Sequence, residues 1–315
     1  MTPLHRFILL ACTLLAAVPA WADLAVATLH PALDDLAKQV GGERISLVPL
    51  LKAGSDPHAF SPKPEDVKLL RGVRLILASG KGMETYLDKL VDNLGKEQKI
   101  IEVGKTIPDL TEAEEQAILL EAEEAHDHAE DDGHEHGHHH HGAGTDPHWW
   151  NSTENIRRAA SVLAEAFSRE DPANAAAYRS NAAAYAERLR VLKNWAKKEL
   201  AAVPQDSRKI ATAHLSMTYF AKEFGFKLIA VQGLSPTAKA TSGDLASAIT
   251  RIKKHRIKAV FPEQGVNAKQ LDEIIAESGA KKGGELVADG NGTGEFARFE
   301  NAFRHNVTTI AAALR

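Results

Sequence analysis

Two copies of one short triplet place a histidine after a rigid turn. Asp-Pro-His occurs at 56–58 and again at 146–148, so His58 and His148 share a local sequence. Proline restricts its own backbone and keeps the residue before it extended, so the loop holds the following side chain in a defined direction. The aspartate can orient an imidazole or a neighbouring loop. One triplet would indicate only a turn, but two make His58 and His148 candidate metal ligands.

A third histidine and an aspartate follow predicted buried strands. His214 lies between an apolar run at 209–213 and a helix predicted over 216–224. Asp289 lies between the run at 285–288 and a Gly-Asn-Gly turn. Open α/β sheets bind their ligands at the carboxyl ends of strands. Both residues are therefore candidate ligands, although either could instead cap a helix.

Eight further histidines are concentrated in one polar segment. No Lys or Arg occurs between residues 106 and 156, and the segment 121–144 combines acidic residues and glycines with these histidines. They are His126, His128, His134, His136, His138, His139, His140 and His141. The composition predicts a disordered loop that attracts metal ions and binds them weakly.

The remaining histidines carry weaker signals. His5 belongs to the predicted leader, and His255 and His305 occupy polar positions on predicted helices, where exposure to solvent is expected. His30 directly precedes Pro31, after the first predicted strand. It could line a cleft or occupy a turn, and the turn is the favoured interpretation.

Strand and helix patterns alternate in the first hundred residues. Short apolar runs are typical of buried strands, and amphipathic stretches are typical of helices. The predicted strands cover 24–28, 45–49, 75–78 and 100–103, and the predicted helices cover 32–40, 64–70 and 83–94. Such alternation predicts a parallel sheet with helices on both faces.

A long helix leads from this half to a second alternating half. Asp171 and Pro172 are helix-start signals, and apolar residues recur every three or four positions from Tyr178 to Ala196, so a helix is predicted to about residue 200. Its length would be roughly 45 Å. Another helix is predicted over 153–167.

The second half repeats the pattern of the first. Its predicted strands cover 209–213, 227–231, 259–261 and 285–288, and its predicted helices cover 216–224, 243–255, 268–278 and 294–314. The predicted fold class is α/β, with two lobes, each a parallel sheet flanked by helices, joined by one long helix. The expected bounds are 23–170 for the N-terminal lobe, 171–203 for the linking helix and 204–315 for the C-terminal lobe.

The first 22 residues have the pattern of a secretory signal peptide. Arg6 precedes a mostly apolar run at 7–18, which is too short to span a membrane, and Ala-Trp-Ala at 20–22 is a small-x-small cleavage sequence. Cleavage is expected after Ala22, which places the mature chain in the periplasm. The one cysteine, Cys12, leaves with the leader, so metal binding must depend on His, Asp and Glu.

Composition narrows the class of partner. The chain has 315 residues, enough for two compact domains, with 44% hydrophobic and 25% charged residues. The formal net charge is −4 and no basic patch is evident in the sequence, so nucleic acid is not an expected partner.

Seven segments of the chain resemble, in order, the metal-binding proteins of zinc and manganese ABC importers. They are SDPHAFSPKP at 55–64, GKGMETYL at 80–87, DPHWW at 146–150, AH at 213–214, YFAKEFG at 219–225, VFPE at 260–263 and RHNV at 304–307. The resemblance spans the mature chain. It departs at Asn151, where an aliphatic residue is common, and in the glycine-rich stretch 290–294.

The resemblance implies a metal site between two lobes, built from His58, His148, His214 and Asp289. Members with histidine at the third position tend to bind zinc, and members with glutamate there tend to bind manganese. Three imidazoles and one carboxylate also suit tetrahedral Zn²⁺, whereas manganese prefers more oxygen ligands. A histidine-rich loop is likewise a common feature of the zinc-binding members.

The implied function is high-affinity capture of Zn²⁺, the transported ligand, in the periplasm and its delivery to an ABC permease. We expect a monomer that is not an enzyme, and a periplasmic metallochaperone could load it.

Two other functions stay open at this stage. A periplasmic zinc-dependent hydrolase would need an open coordination position and a base, for which Glu263 is the nearby carboxylate. However, four protein ligands would leave no coordination position open for water. The sequence also lacks two hydrolase motifs: no His-Glu-x-x-His pair lies on a predicted helix, and no Gly-x-Ser-x-Gly turn occurs. The second alternative is a manganese-specific binding protein.

Overall fold

The computed structural model describes residues 23–95, 98–120, 145–237, 240–266, 269–290 and 292–315. The predicted signal peptide and the histidine-rich segment 121–144 lie outside these residues, as do the eight histidines of that segment. Among the helices that are described, none is long and apolar enough to cross a membrane.

The N-terminal lobe is built on a sheet of four parallel strands. These are β1 (Leu24–Thr28), β2 (Ile45–Pro49), β3 (Leu75–Ala78) and β4 (Lys99–Glu102), in the order β2-β1-β3-β4. Its helices are α1 (Ala32–Gly41), α2 (Pro64–Leu70), α3 (Leu87–Leu94) and α4 (Glu112–Ile118). Alternate residues of the central strands face different core clusters: Val26 packs with the residues of α1, whereas Ala27 packs with Leu70 and Leu90. The continuous apolar runs therefore reflect burial on both faces of the sheet.

The C-terminal lobe repeats this topology. Its strands are β5 (Lys209–Thr212), β6 (Lys227–Ala230), β7 (Ala259–Phe261) and β8 (Lys281–Lys282), all parallel and in the order β6-β5-β7-β8. The helices that follow α4 along the chain are α5 (Thr153–Glu170), α6 (Ala175–Leu200), α7 (Thr218–Phe224), α8 (Ser242–Lys254), α9 (Lys269–Ser278) and α10 (Phe299–Leu314). The predicted α/β class, with two parallel sheets, is confirmed.

The long helix α6 supports both lobes. A single 3-10 turn at Pro172–Asn174 precedes it, so the start signals at Asp171 and Pro172 open this turn and α6 follows. The 26 residues of α6 span about 39 Å. Its buried stripe consists of Tyr178, Ala182, Tyr185, Leu189, Leu192, Ala196 and Leu200, the positions of the predicted apolar repeat and the helix's last residue. This stripe joins the core cluster that includes residues of both sheets, so one helix fixes the spacing of the two lobes.

One predicted strand is wrong. Residues 285–288 are not a strand of the sheet, and the last strand, β8, lies at Lys281–Lys282 instead. The Asn306 side chain takes the place of a strand neighbour at Val287: its Oδ1 accepts from Val287 N (2.9 Å) and its Nδ2 donates to Val287 O (2.8 Å). Leu286 makes only an isolated bridge to Glu263. The apolar run is therefore buried, but a side-chain amide, and not a neighbouring strand, makes the backbone hydrogen bonds at Val287.

Several helix bounds also differ from the predictions. The helices predicted to begin at 83, 216 and 294 begin at Leu87, Thr218 and Phe299, because turns or 3-10 segments precede them. Helix α4 was not predicted. The chain after α4 crosses to the other lobe, where Leu120 N donates to Leu228 O at 3.0 Å.

Candidate metal centre

Four side chains from four separate segments meet where the two lobes face each other. His58 lies in the loop between β2 and α2, and His148 lies just before α5. His214 follows β5 by two residues, and Asp289 follows the buried segment 285–288. One ligand atom from each lies within 4.8 Å of the others. The structure therefore brings together all four candidate ligands, and His214 lies at the carboxyl end of β5, where α/β sheets bind ligands.

The separations between these atoms suit a tetrahedral metal site. Asp289 Oδ1 lies 3.1 Å from His214 Nε2, 3.5 Å from His58 Nε2 and 3.7 Å from His148 Nε2. The Nε2 atoms of His58 and His148 are 3.4 Å apart. A tetrahedron with zinc–ligand bonds of about 2.0–2.1 Å has edges of about 3.3 Å. These four separations are close to the edges of such a tetrahedron, and all ligand atoms lie within 4.8 Å of one another.

Both Asp-Pro-His triplets form the same turn. Asp56 Oδ1 accepts from His58 N at 2.8 Å, and Asp146 Oδ1 accepts from His148 N at 2.9 Å. Asp146 Oδ1 also lies 2.8 Å from His148 Nδ1, and its other oxygen accepts from the Thr218 hydroxyl. The aspartate therefore orients the His148 imidazole so that Nε2 faces the site.

The His214 imidazole is oriented by a carboxylate that lies two residues after β7, the neighbour of β5 in the sheet. Glu263 Oε2 lies 3.0 Å from both the backbone N and Nδ1 of His214, and Oε1 accepts from the Ser216 hydroxyl. Glu263 is 1% exposed. Its bonds hold the tautomer with hydrogen on Nδ1, which leaves Nε2 free for a metal. Glu263, the carboxylate that a hydrolase could have used as a base, thus orients the candidate ligand His214.

The buried carboxylates and imidazoles of the site shift one another's pKa values. Burial alone would lower the pKa of His214, but the carboxylates of Glu263 and Asp289 outweigh burial and raise that pKa well above its usual value. Burial likewise opposes ionisation of Asp289, but His214 and the neighbouring imidazoles lower its pKa well below the usual range. Burial lowers the pKa of His148 in spite of Asp146. An imidazole must be neutral to bind a metal, so a metal ion must compete with a proton at His214.

The loop that carries Asp289 is held by contacts on both sides. Ala288 O accepts from Trp150 Nε1 at 2.8 Å and from Asn151 Nδ2 at 2.7 Å. Gly290 has φ +63°, and a Cβ there would lie 2.5 Å from the Cβ of Ala32. A glycine is therefore required directly after Asp289, both for the backbone angle and for the close approach of α1.

The other described histidines do not join the cluster of four. His30 is buried, its Nδ1 accepts from Ala32 N at 3.1 Å, and its ring lies 4.2 Å from that of Trp150. This supports the turn interpretation, although the imidazole packs behind the site. Burial lowers its pKa to about 3, so it is neutral. His255 and His305 are partly exposed, and His305 Nε2 contacts Glu285 O at 2.8 Å.

Comparison with known proteins agrees with this geometry. The chain matches the family described as ZnuA, zinc-uptake complex component A periplasmic, over residues 26–313. The manganese-binding lipoprotein MntA of Bacillus subtilis is 31% identical over 303 residues, or 93% of this chain and 90% of that protein. The zinc-binding lipoprotein AdcA of Streptococcus pneumoniae is 29% identical over 260 residues, or 81% of this chain and 48% of that protein.

A solved structure shows the same fold. The periplasmic zinc-binding protein TroA from Treponema pallidum matches with a TM-score of 0.78 at 23% identity, over 93% of this chain and 99% of that chain. The family consists of extracytoplasmic solute-binding proteins and not enzymes, so the hydrolase alternative is wrong. The chain belongs to the ZnuA family of metal-binding proteins, which capture zinc or manganese for ABC importers.

Proposed function

We propose that this protein is a zinc-specific member of its family, which captures Zn²⁺ in the periplasm and delivers it to an ABC permease. The observation that carries the proposal is the donor set: three imidazole nitrogens and one carboxylate oxygen, all within 4.8 Å of one another. Zn²⁺ accepts four such ligands in a tetrahedron. Manganese prefers carboxylate, carbonyl and water ligands. Within the described residues, the cluster contains one carboxylate and no second one.

Further support comes from how the imidazoles are held. The Nδ1 atoms of His148 and His214 each lie against a buried carboxylate, at 2.8 and 3.0 Å. Such partners raise the basicity of the metal-binding nitrogen and fix its direction. A rigid nitrogen-rich site favours a small tetrahedral ion over one that takes six ligands.

Manganese capture is the second candidate function. It is favoured by the likeness to the manganese-binding lipoprotein MntA, which is 31% identical and covers nearly the whole chain. The two candidates share the site and the importer and differ in the ion. A direct comparison of the two metals on one preparation separates them.

The decisive experiment is a competitive titration of the metal-free mature chain with Zn²⁺ and with Mn²⁺, together with elemental analysis of the protein as purified. We expect one tight equivalent of zinc and binding of manganese that is at least about 100-fold weaker, a difference of about 2.7 kcal/mol. Tighter binding of manganese than of zinc would contradict zinc specificity and support manganese capture.

Alanine variants test the ligand assignment. Replacing His58, His148 or His214 should weaken tight zinc binding by at least about tenfold each, because water must fill the vacated position. Asp289→Ala should do the same, since its Oδ1 lies within 3.7 Å of all three imidazoles. His305→Ala is the control, because this residue is outside the cluster. Unchanged zinc affinity in His214→Ala would contradict the assignment.

The remaining parts of the proposal concern the cell. We propose that the mature protein begins after Ala22, acts as a monomer and hands zinc to a membrane permease, and that a periplasmic metallochaperone can load it. Deletion of the gene should slow growth when zinc is scarce, and added zinc should restore growth. Restoration by manganese but not by zinc would contradict zinc delivery.

A further inference from the structure

Asn151 is a buried amide whose two hydrogens reach across to the C-terminal lobe. It lies in the single 3-10 turn Trp149–Asn151 that follows the ligand His148, and its backbone N donates to His148 O at 3.2 Å. Its Nδ2 donates to Ser216 O at 2.9 Å and to Ala288 O at 2.7 Å. Since both acceptors are carbonyl oxygens, the amide nitrogen must face them, and one side chain joins two loops of the opposite lobe.

The two acceptors belong to the loops that carry the other two buried ligands. Ser216 is two residues after His214, and its hydroxyl donates to Glu263, the carboxylate that orients the His214 imidazole. Ala288 directly precedes Asp289. Asn151 therefore connects three of the four ligand segments, through its backbone N to the His148 segment and through its side-chain amide to the other two.

We propose that Asn151 is a positioning residue that sets the spacing between the ligands of the two lobes and thereby favours zinc over manganese. This inference rests on the proposed zinc function. An aliphatic side chain at this position could fill the space but could not donate to either carbonyl.

The physical reason lies in the different demands of the two ions. A tetrahedral zinc site needs all four protein atoms at about 2.0–2.1 Å, so a displacement of about 0.5 Å in one loop is costly. Manganese takes more oxygen ligands and can recruit water when a protein ligand moves away. A looser connection between the lobes should thus weaken zinc binding more than manganese binding.

The test is Asn151→Leu, which keeps the number and branching of the side-chain heavy atoms and removes both donor hydrogens. The matched control is Asn155→Leu: Asn155 lies in α5 and is similarly buried, and its Nδ2 donates to Trp149 O of the preceding 3-10 turn, within the same lobe. Trp150 Nε1 still donates to Ala288 O in the variant, so we expect a moderate effect, a zinc affinity about tenfold lower (about 1.4 kcal/mol). Manganese affinity should fall less than about threefold.

The zinc-to-manganese ratio is the readout that a general packing defect would not change. Equal losses for both metals, or an unchanged zinc affinity, would overturn the inference, as would the same ratio change in Asn155→Leu. Should Asn151→Leu fail to fold, Asn151→Ser gives the same test, because a serine hydroxyl cannot reach both carbonyls. Failure of the wild-type chain to bind zinc would overturn the proposed function instead, so the two failures are distinguishable.

Discussion

Replacing Glu263 with glutamine removes the negative charge behind the candidate metal ligand His214 and keeps the size of the side chain. The carboxylate is buried and lies 3.0 Å from both the N and the Nδ1 atoms of His214. The glutamine oxygen can still accept the Nδ1 hydrogen, so the imidazole keeps its direction. What the variant loses is the charge that makes Nε2 a stronger donor to a cation.

The size of the effect follows from two opposing contributions. Loss of the partner behind a metal-bound imidazole costs about 10–100-fold in metal affinity, or about 1.4–2.7 kcal/mol. The same carboxylate helps to raise the pKa of His214, so in the wild type a proton competes with zinc at neutral pH. At high pH only the loss of zinc binding is seen. As the pH falls, the variant gains from weaker proton competition, so its disadvantage should shrink.

Competitive chelator titrations at about pH 6 and about pH 8.5 measure this difference on either side of neutrality. We expect the ratio of wild-type to variant affinity to be larger at the higher pH. Glu223→Gln is the control: this carboxylate on α7 is also largely buried and accepts from Thr153 N at 2.8 Å, away from the ligands. An unchanged zinc affinity in Glu263→Gln would refute the reasoning, and a ratio independent of pH would refute the role of charge.

Three further predictions concern the pH, the loop and the stability. Zinc affinity should fall steeply from about pH 7 to about pH 5 as the imidazoles gain protons. A shallower decrease should already be seen above pH 7, because the pKa of His214 is raised. A zinc affinity that does not change with pH would indicate a carboxylate-dominated site. Deleting 121–144 should remove weak zinc equivalents and leave the tight one, and loss of tight binding would show that the segment supplies essential ligands. Zinc at about 100 times Kd should stabilise the fold by about 2.7 kcal/mol, seen as a higher Tm that His214→Ala lacks.

Local sequence patterns were enough to predict the fold class and most of the helices and strands. Apolar runs such as Leu75–Ala78 could be recognised as strands because residues buried on both faces are continuously hydrophobic. The repeat from Tyr178 to Ala196 identified α6, since one face of a helix recurs every three or four residues. The candidate ligands His58 and His148 were predictable for a local reason as well, because the Asp-Pro-His turns are formed within three residues.

Features that depend on contacts between residues far apart in the sequence could be seen only in the folded chain. Nothing near Glu263 indicates that it orients an imidazole 49 positions earlier, and nothing near Asn151 indicates its bonds to Ser216 and Ala288. The strand predicted at 285–288 was wrong for the same reason, because an amide from α10 replaces its neighbour. Local patterns report burial and backbone preference, whereas the partner of a buried polar group is chosen by packing between distant segments.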